Sequence, residues 1–123
     1  VLKNKKKEKK MTTKSKKAKG KRLQKIVCEI LAKKLNIVYN QQDDNCLIHS
    51  REMNQSGVDV ILRDEAFKKF PFLIECKNQE RISLNKVIEQ AKKRGENWLI
   101  VYKNNHLKNP VVILDFQIFL SKI

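Results

Sequence analysis

The sequence predicts an α/β fold in which a mixed β-sheet is flanked by helices, in the order α-β-β-β-α-β-β-α. Apolar residues recur at three- and four-residue spacing over Leu23–Leu35 and again over Leu84–Ala91, the period of a one-sided helix. Short apolar runs of strand length stand between and after them: Gly57–Leu62, Phe72–Lys77, Trp98–Tyr102 and Val111–Leu114. Polar stretches carrying Asn, Ser, Gly or Pro separate these segments, and no segment repeats another. At 123 residues the chain has room for one small domain with one core.

Residues 1–20 hold ten Lys and one Glu, a net of +9, without hydrophobic periodicity. Such a segment buries too little apolar surface to order itself, so 1–20 is expected as a disordered Lys-rich arm ahead of a domain over 21–123. Met11, followed by Thr-Thr-Lys-Ser, reads as a natural start, which would make Val1–Lys10 an upstream extension. From Lys21 the first helix sets Leu23, Ile26, Val27, Ile30, Leu31 and Leu35 on one face, with Asn36 as C-cap. Asn40–Asn45 reads as a loop and Cys46–His49 as a short strand. A second loop, Ser50–Ser56, leads into Gly57 and the strand bearing Asp59. Asp64–Phe70 is expected as a helical turn that Pro71 ends before the strand Phe72–Lys77. Ser83–Arg94 reads as an amphipathic helix with Ser83 as cap, Gly95 as stop, and Leu84, Val87, Ile88 and Ala91 on its inner face. Two strands follow, Trp98–Tyr102 and Val111–Leu114, joined by the loop Lys103–Pro110, and Phe116–Leu120 reads as a short final helix.

The formal net charge is +15, from 28 basic and 13 acidic residues, of which +6 remains outside the first twenty. A field of this size draws polyanions, chiefly nucleic acid, ahead of a solubilising tail, a nuclear-localisation-like segment or an anionic-membrane patch. No stretch is long and apolar enough to span a bilayer and the N-terminus is too polar for a signal peptide, so a soluble, cytoplasmic protein with no membrane partner is expected. Cys28, Cys46 and Cys76 are odd in number and lack ligand spacing. Buried free thiols in a reducing compartment are expected. His49 and His106 have no partner at ligand spacing, and Trp98 and Tyr102 read as core.

Charge interrupts two of the apolar strands at matched places. Side chains alternate across a strand, so Glu75 and Lys77 share one face while Phe72, Ile74 and Cys76 share the other. Asp59, on the preceding strand, supplies a second carboxylate at hairpin distance. An Asp followed by Glu-x-Lys is the metal-and-lysine core of a phosphodiesterase site. Asp59 and Glu75 are the expected ligands of a Mg²⁺ ion, with Mn²⁺ as its substitute, and the backbone carbonyl of Cys76 is a third oxygen. Lys77 would position the attacking water or stabilise charge on the phosphorane. The competing reading makes Glu75 and Lys77 a surface pair and Asp59 a turn residue; Glu-x-Lys alone is common, and it is the apolar strand context that favours a site.

From Gly20 onward the chain resembles the PD-(D/E)xK nucleases, in particular the archaeal-type Holliday junction resolvases and small phage-encoded proteins related to them. The likeness rests on Lys19-Gly20 opening the first helix, Ser56-Gly57-Val58-Asp59, Phe70-Pro71 before Ile74-Glu75-Cys76-Lys77-Asn78-Gln79, and Glu89-Gln90-Ala91 in the next helix. The resemblance implies a restriction-endonuclease-like fold, Mg²⁺-dependent cleavage of branched DNA such as a four-way junction, and a homodimer. The same core also serves nicking, restriction-type and repair endonucleases, and inactive DNA-binding relatives. Where those resolvases carry a Glu four residues after the helix-opening Gly, this chain has Gln24, whose amide oxygen can touch a metal or its water but brings no charge. Glu29 is the substitute to weigh, although it lies away from the apolar stripe and reads first as a surface residue. Gln90 either points toward the Lys77 end of the strand, to orient water or phosphate, or is an exposed helical glutamine. Ser50 and Arg51 either bind phosphate beside the metal or form an ordinary polar loop. Lys14, Lys16, Lys17, Lys19, Lys21 and Arg22 are the remaining DNA-binding candidates.

Overall fold

The computed structural model describes residues 13–52 and 55–123. The expectations for residues 1–12, including the start at Met11, lie outside the described residues. The elements are α1 (Thr13–Leu35), β1 (Ile48–Ser50), β2 (Val60–Leu62), α2 (Asp64–Lys69), β3 (Leu73–Asn78), α3 (Leu84–Lys92), β4 (Trp98–Lys103), β5 (Val111–Leu114) and α4 (Phe116–Ser121). They form the expected α/β arrangement of a mixed sheet flanked by helices.

The five strands lie in the order β1-β2-β3-β4-β5. β3 and β4 run parallel, joined through α3, and every other neighbouring pair is antiparallel. A parallel pair needs a crossover of a dozen or more residues, which the Ser83–Asn97 stretch supplies. Ile74, Cys76, Leu99 and Val101 point to one face and pack with Leu23, Val27, Cys28 and Ala32 of α1. Trp98 and Ile100 point to the other, where Val87 and Ala91 of α3 cover them. Leu23 and Val27 of α1 and Val87 and Ala91 of α3 are buried as their periodicity marked, whereas Ile26, Ile30 and Leu84, expected on the same inner faces, are exposed. No helix among the described residues is long and apolar enough to cross a membrane.

Two boundaries differ from expectation in ways that matter below. α1 begins at Thr13, so residues 13–20, expected within a disordered arm, form its first turns. Lysine is a good helix former, and tertiary contacts hold this end down. The Lys19 ammonium is buried, donates to Asn105 Oδ1 at 3.0 Å and lies 3.7 Å from Glu80, while Asn78 Nδ2 donates to the Lys19 carbonyl at 3.3 Å. At its other end α1 closes as a Schellman turn: Asn36 sits at φ 60°, and Ile37 N donates to Ala32 O at 2.8 Å. The second difference is in α3, which stops at Lys92 with Ser83 at its N-cap position but with no bond from the Ser83 side chain.

Gly95 follows at φ 151°, and a Cβ there would stand 2.6 Å from Leu73 Cδ1. Both the backbone region and the approach to β3 exclude a side chain. Gly95→Ala is expected to cost about 1–3 kcal/mol, seen as a lower urea midpoint at unchanged slope. An unchanged midpoint would show that this turn tolerates a side chain.

Candidate active site

Asp59 precedes β2 at the point where β2 and β3 part. The two strands pair at Val60↔Ile74, and Asp59 N donates to Ile74 O at 3.0 Å. The next donor along β3, the Cys76 N–H, goes to the carboxylate of Asp59 instead of to a backbone carbonyl, at 2.8 Å to Oδ2. The side chain thus takes over one ladder bond, which fixes its direction. A strand residue's N–H and C=O project toward the same neighbour, so the Cys76 carbonyl faces this opening too. The loop before Asp59 is held close: Arg51 Nε donates to Val58 O at 2.6 Å, and a Cβ on Gly57 would fall 2.5 Å from Arg51 Cζ.

The opening is a cleft of about 250 Å³ lined by Lys17, Gly20, Lys21 and Gln24 of α1, by Arg51, Glu52 and Gln55, and by Asp59, Cys76 and Lys77. Lys17, Gly20, Lys21 and Gln24 share its wall because residues three and four apart lie on one side of a helix. Lys21 ties that wall to the loop by donating to Arg51 O at 2.6 Å. Four cationic side chains (Lys17, Lys21, Arg51 and Lys77) face two carboxylates (Glu52 and Asp59), so the cleft suits an anion. The Gln24 Oε1 atom is buried against it and has no hydrogen-bond partner among the described residues. A buried acceptor without a donor is costly, and a ligand with a cation or a bound water would satisfy it.

Glu75 stands behind the cleft, not in its lining. It is 5% exposed, on the sheet face that α3 covers. Arg94, in the turn after α3, donates from Nε to Glu75 Oε1 at 2.5 Å. Burial pushes the Glu75 carboxyl up to about 7, the neighbouring Asp59 adds to the rise, and Arg94 opposes it. The three cysteines are buried free thiols. Burial pushes Cys28 up to about 12 and Cys76 well above the ordinary thiol value, so neither supplies a thiolate ligand at neutral pH.

Of the residues singled out in the sequence, Gln24, Arg51, Asp59, Cys76, Lys77, Lys17 and Lys21 meet in the cleft, and Glu75 reaches it through Asp59. Lys14, Lys16 and Arg22 are exposed on α1. Three expectations need correction. Ser50 is 2% exposed, with its backbone N–H and carbonyl both bonded to Gln41, so it is enclosed and does not face phosphate. Lys19 is buried against Asn105 and Glu80 and presents no charge to a ligand. Gln90 lines a shallow groove with Asn85, Lys86, Glu89 and Lys93 on the outer side of α3, away from Lys77, because Val87 and Ala91 are the residues α3 buries. Glu29, read first as a surface residue, is indeed exposed and outside the cleft lining, whereas Gln24 is inside it. Neither histidine belongs to the cleft; His49 is buried with Nε2 2.6 Å from Asp43 O.

Arg94 was not marked by the motif. Its signal was its place at i+7 from Val87 and i+3 from Ala91, a charged residue on the stripe that α3 turns inward. Among the described residues no group of three or more His, Cys, Asp and Glu side chains could hold a metal ion. The groups that would have to hold one are Asp59, with Glu75 against it behind the cleft, the Cys76 main-chain carbonyl and the unpartnered Gln24 oxygen, all of them oxygen donors. That set fits Mg²⁺, which binds through one or two carboxylates and keeps several waters. Compared with family models, curated proteins and solved structures, the chain matches none.

Proposed function

We propose that this protein is a Mg²⁺-dependent endodeoxyribonuclease of the PD-(D/E)xK kind, with a restriction-endonuclease-like fold, acting on branched DNA as Holliday junction resolvases do. The observation that carries the reading is the meeting of Asp59, Lys77 and Gln24 in one basic cleft where β2 and β3 part, with Glu75 against Asp59. When bound, the cation supplies charge neutralisation at the phosphate and a more acidic water. Asp59 and Glu75, with the Cys76 carbonyl, would hold it, and the unpartnered Gln24 oxygen would supply a hydrogen-bond acceptor beside it. Lys77 meets the developing charge on the phosphate as a compact ammonium. Lys17, Lys21 and Arg51 hold the flanking backbone without reading bases, and Lys14, Lys16 and Arg22 extend that track along α1. Two copies of the chain would present two such clefts to the symmetric strands of a junction.

Lys77→Ala is expected to lower turnover by about 10²–10³-fold while leaving the Mg²⁺ dependence in place, as loss of a charge-stabilising donor does. Loss of metal binding in that variant would make Lys77 a structural support instead. A second reading, a DNA-binding relative that does not cut, is favoured by the amide at Gln24 where a third carboxylate would stand. Incubating the protein with a four-way junction, matched duplex and single strand, with Mg²⁺ or with chelator, separates the readings. Preferential Mg²⁺-dependent cutting of the junction supports the proposal. Equal cutting of duplex points to a nicking, restriction-type or repair enzyme, and binding without cutting points to the non-cutting relative.

A further inference from the structure

We infer that Arg94 is the positioning residue of the acidic pair: it fixes the Glu75 carboxylate for a divalent cation shared with Asp59. The inference rests on the metal-site reading above and adds a residue that the Asp and Glu-x-Lys pattern does not contain. Three observations carry it. The Arg94 Nε to Glu75 Oε1 distance is 2.5 Å, and the Glu75 side chain is only 6% exposed, so the guanidinium meets a carboxylate that water hardly reaches. Glu75 also lies against the Asp59 carboxylate, with which it would share the cation.

Arg94 is itself fixed from both directions. Its backbone N–H donates to Ala91 O at 3.0 Å, closing the last turn of α3, and Gly95 beside it can carry no side chain against Leu73. Two residues beyond Gly95, the chain is joined to β3 by Leu73 N donating to Asn97 O at 2.9 Å. The turn therefore presents Arg94 to Glu75 as part of the α3–β4 connection, not as a free surface side chain.

The electrostatics call for such a group. Asp59 and Glu75 are two carboxylates side by side, and like charges that close repel. One guanidinium beside one of them offsets that repulsion while leaving the pair with a net negative charge for a cation. Lysine could supply the charge but not the Nε geometry, and alanine neither. Partners that orient a metal-binding side chain typically contribute about 10–100-fold in metal affinity when removed.

Isothermal titration of Mn²⁺ into the full chain without DNA reads this separately from cleavage. Arg94→Ala should weaken Mn²⁺ binding by at least about tenfold, and Arg94→Lys should recover part of the loss. If Arg94 acts through Glu75, Arg94→Ala should add little to the weakening already present in Glu75→Gln, so the double variant closes a non-additive cycle. Circular dichroism of each variant guards against unfolding, and Arg94→Lys keeps the comparison where Arg94→Ala fails to fold. Unchanged or tighter Mn²⁺ binding in a folded Arg94→Ala protein overturns the inference, as does a fully additive double variant. A wild-type protein that binds Mn²⁺ in this Arg94-dependent way but cuts no DNA would retain the Arg94 role and remove the nuclease reading. A wild-type protein that binds no Mn²⁺ would remove both.

Discussion

Asp59→Ala is expected to reduce single-turnover DNA cleavage by on the order of 10³-fold while junction affinity stays within about threefold. Asp59 is the carboxylate that faces the cleft beside Lys77, whereas the phosphate-holding charges Lys17, Lys21 and Arg51 belong to other segments. Removing Asp59 also strips the Cys76 N–H of its acceptor, which costs about 1–3 kcal/mol of stability where the donor stays buried. Asp59→Asn separates the two consequences. Its amide oxygen can keep the Cys76 bond, so stability should recover while cleavage does not. Rates measured with protein in excess, beside urea midpoints for both variants, check this. An Asp59→Asn protein within a few-fold of wild-type cleavage would remove Asp59 from the metal set.

Glu75→Gln should abolish cleavage and yet stabilise the metal-free protein at alkaline pH. The Glu75 carboxyl is raised from 4.5 to about 7, first by burial and then by Asp59. Its folded pKa exceeds its unfolded one, so the folded state binds the extra proton between those values. The contribution to stability is thus fully present below about pH 4.5 and is lost as pH rises through about 7, at most about 3 kcal/mol in all. Gln mimics the protonated form and keeps that contribution. The variant should therefore match wild type near pH 5 and exceed it near about pH 8. Mg²⁺ should raise the melting temperature of wild type more at the higher pH, because a cation relieves the same repulsion, and should do little for Glu75→Gln. Lower stability of Glu75→Gln at alkaline pH would mean that the Arg94 ion pair outweighs burial.

The acidic pair and the lysine were legible in the sequence because a strand permits no charge on a buried stripe without a partner. Asp59, Glu75 and Lys77 break apolar runs, and alternation alone put Glu75 opposite Ile74 and Cys76, as the sheet does. Gln24 was legible only once the phase of the first helix was known from Leu23 and Val27. The start of that helix was not, because Lys-rich composition reads as disorder until Glu80 and Asn105, in segments far along the chain, are seen to hold Lys19. Gln90 and Arg94 show the same limit from opposite sides. A resemblance drew attention to the former, but the phase of α3 set by Val87 and Ala91 turns Arg94 inward and leaves Gln90 outside. Ser50 looked available in a polar segment, and only the pairing of β1 with β2 and the Gln41 amide enclose it.

The measurement closest to the central claim is single-turnover cleavage of a labelled four-way junction by the full chain, with Mg²⁺ and with chelator. The account predicts strand scission in Mg²⁺ and none in chelator, at protein concentrations where the junction is fully bound in both. A junction fully bound and intact in Mg²⁺, and still intact in Mn²⁺, would contradict it.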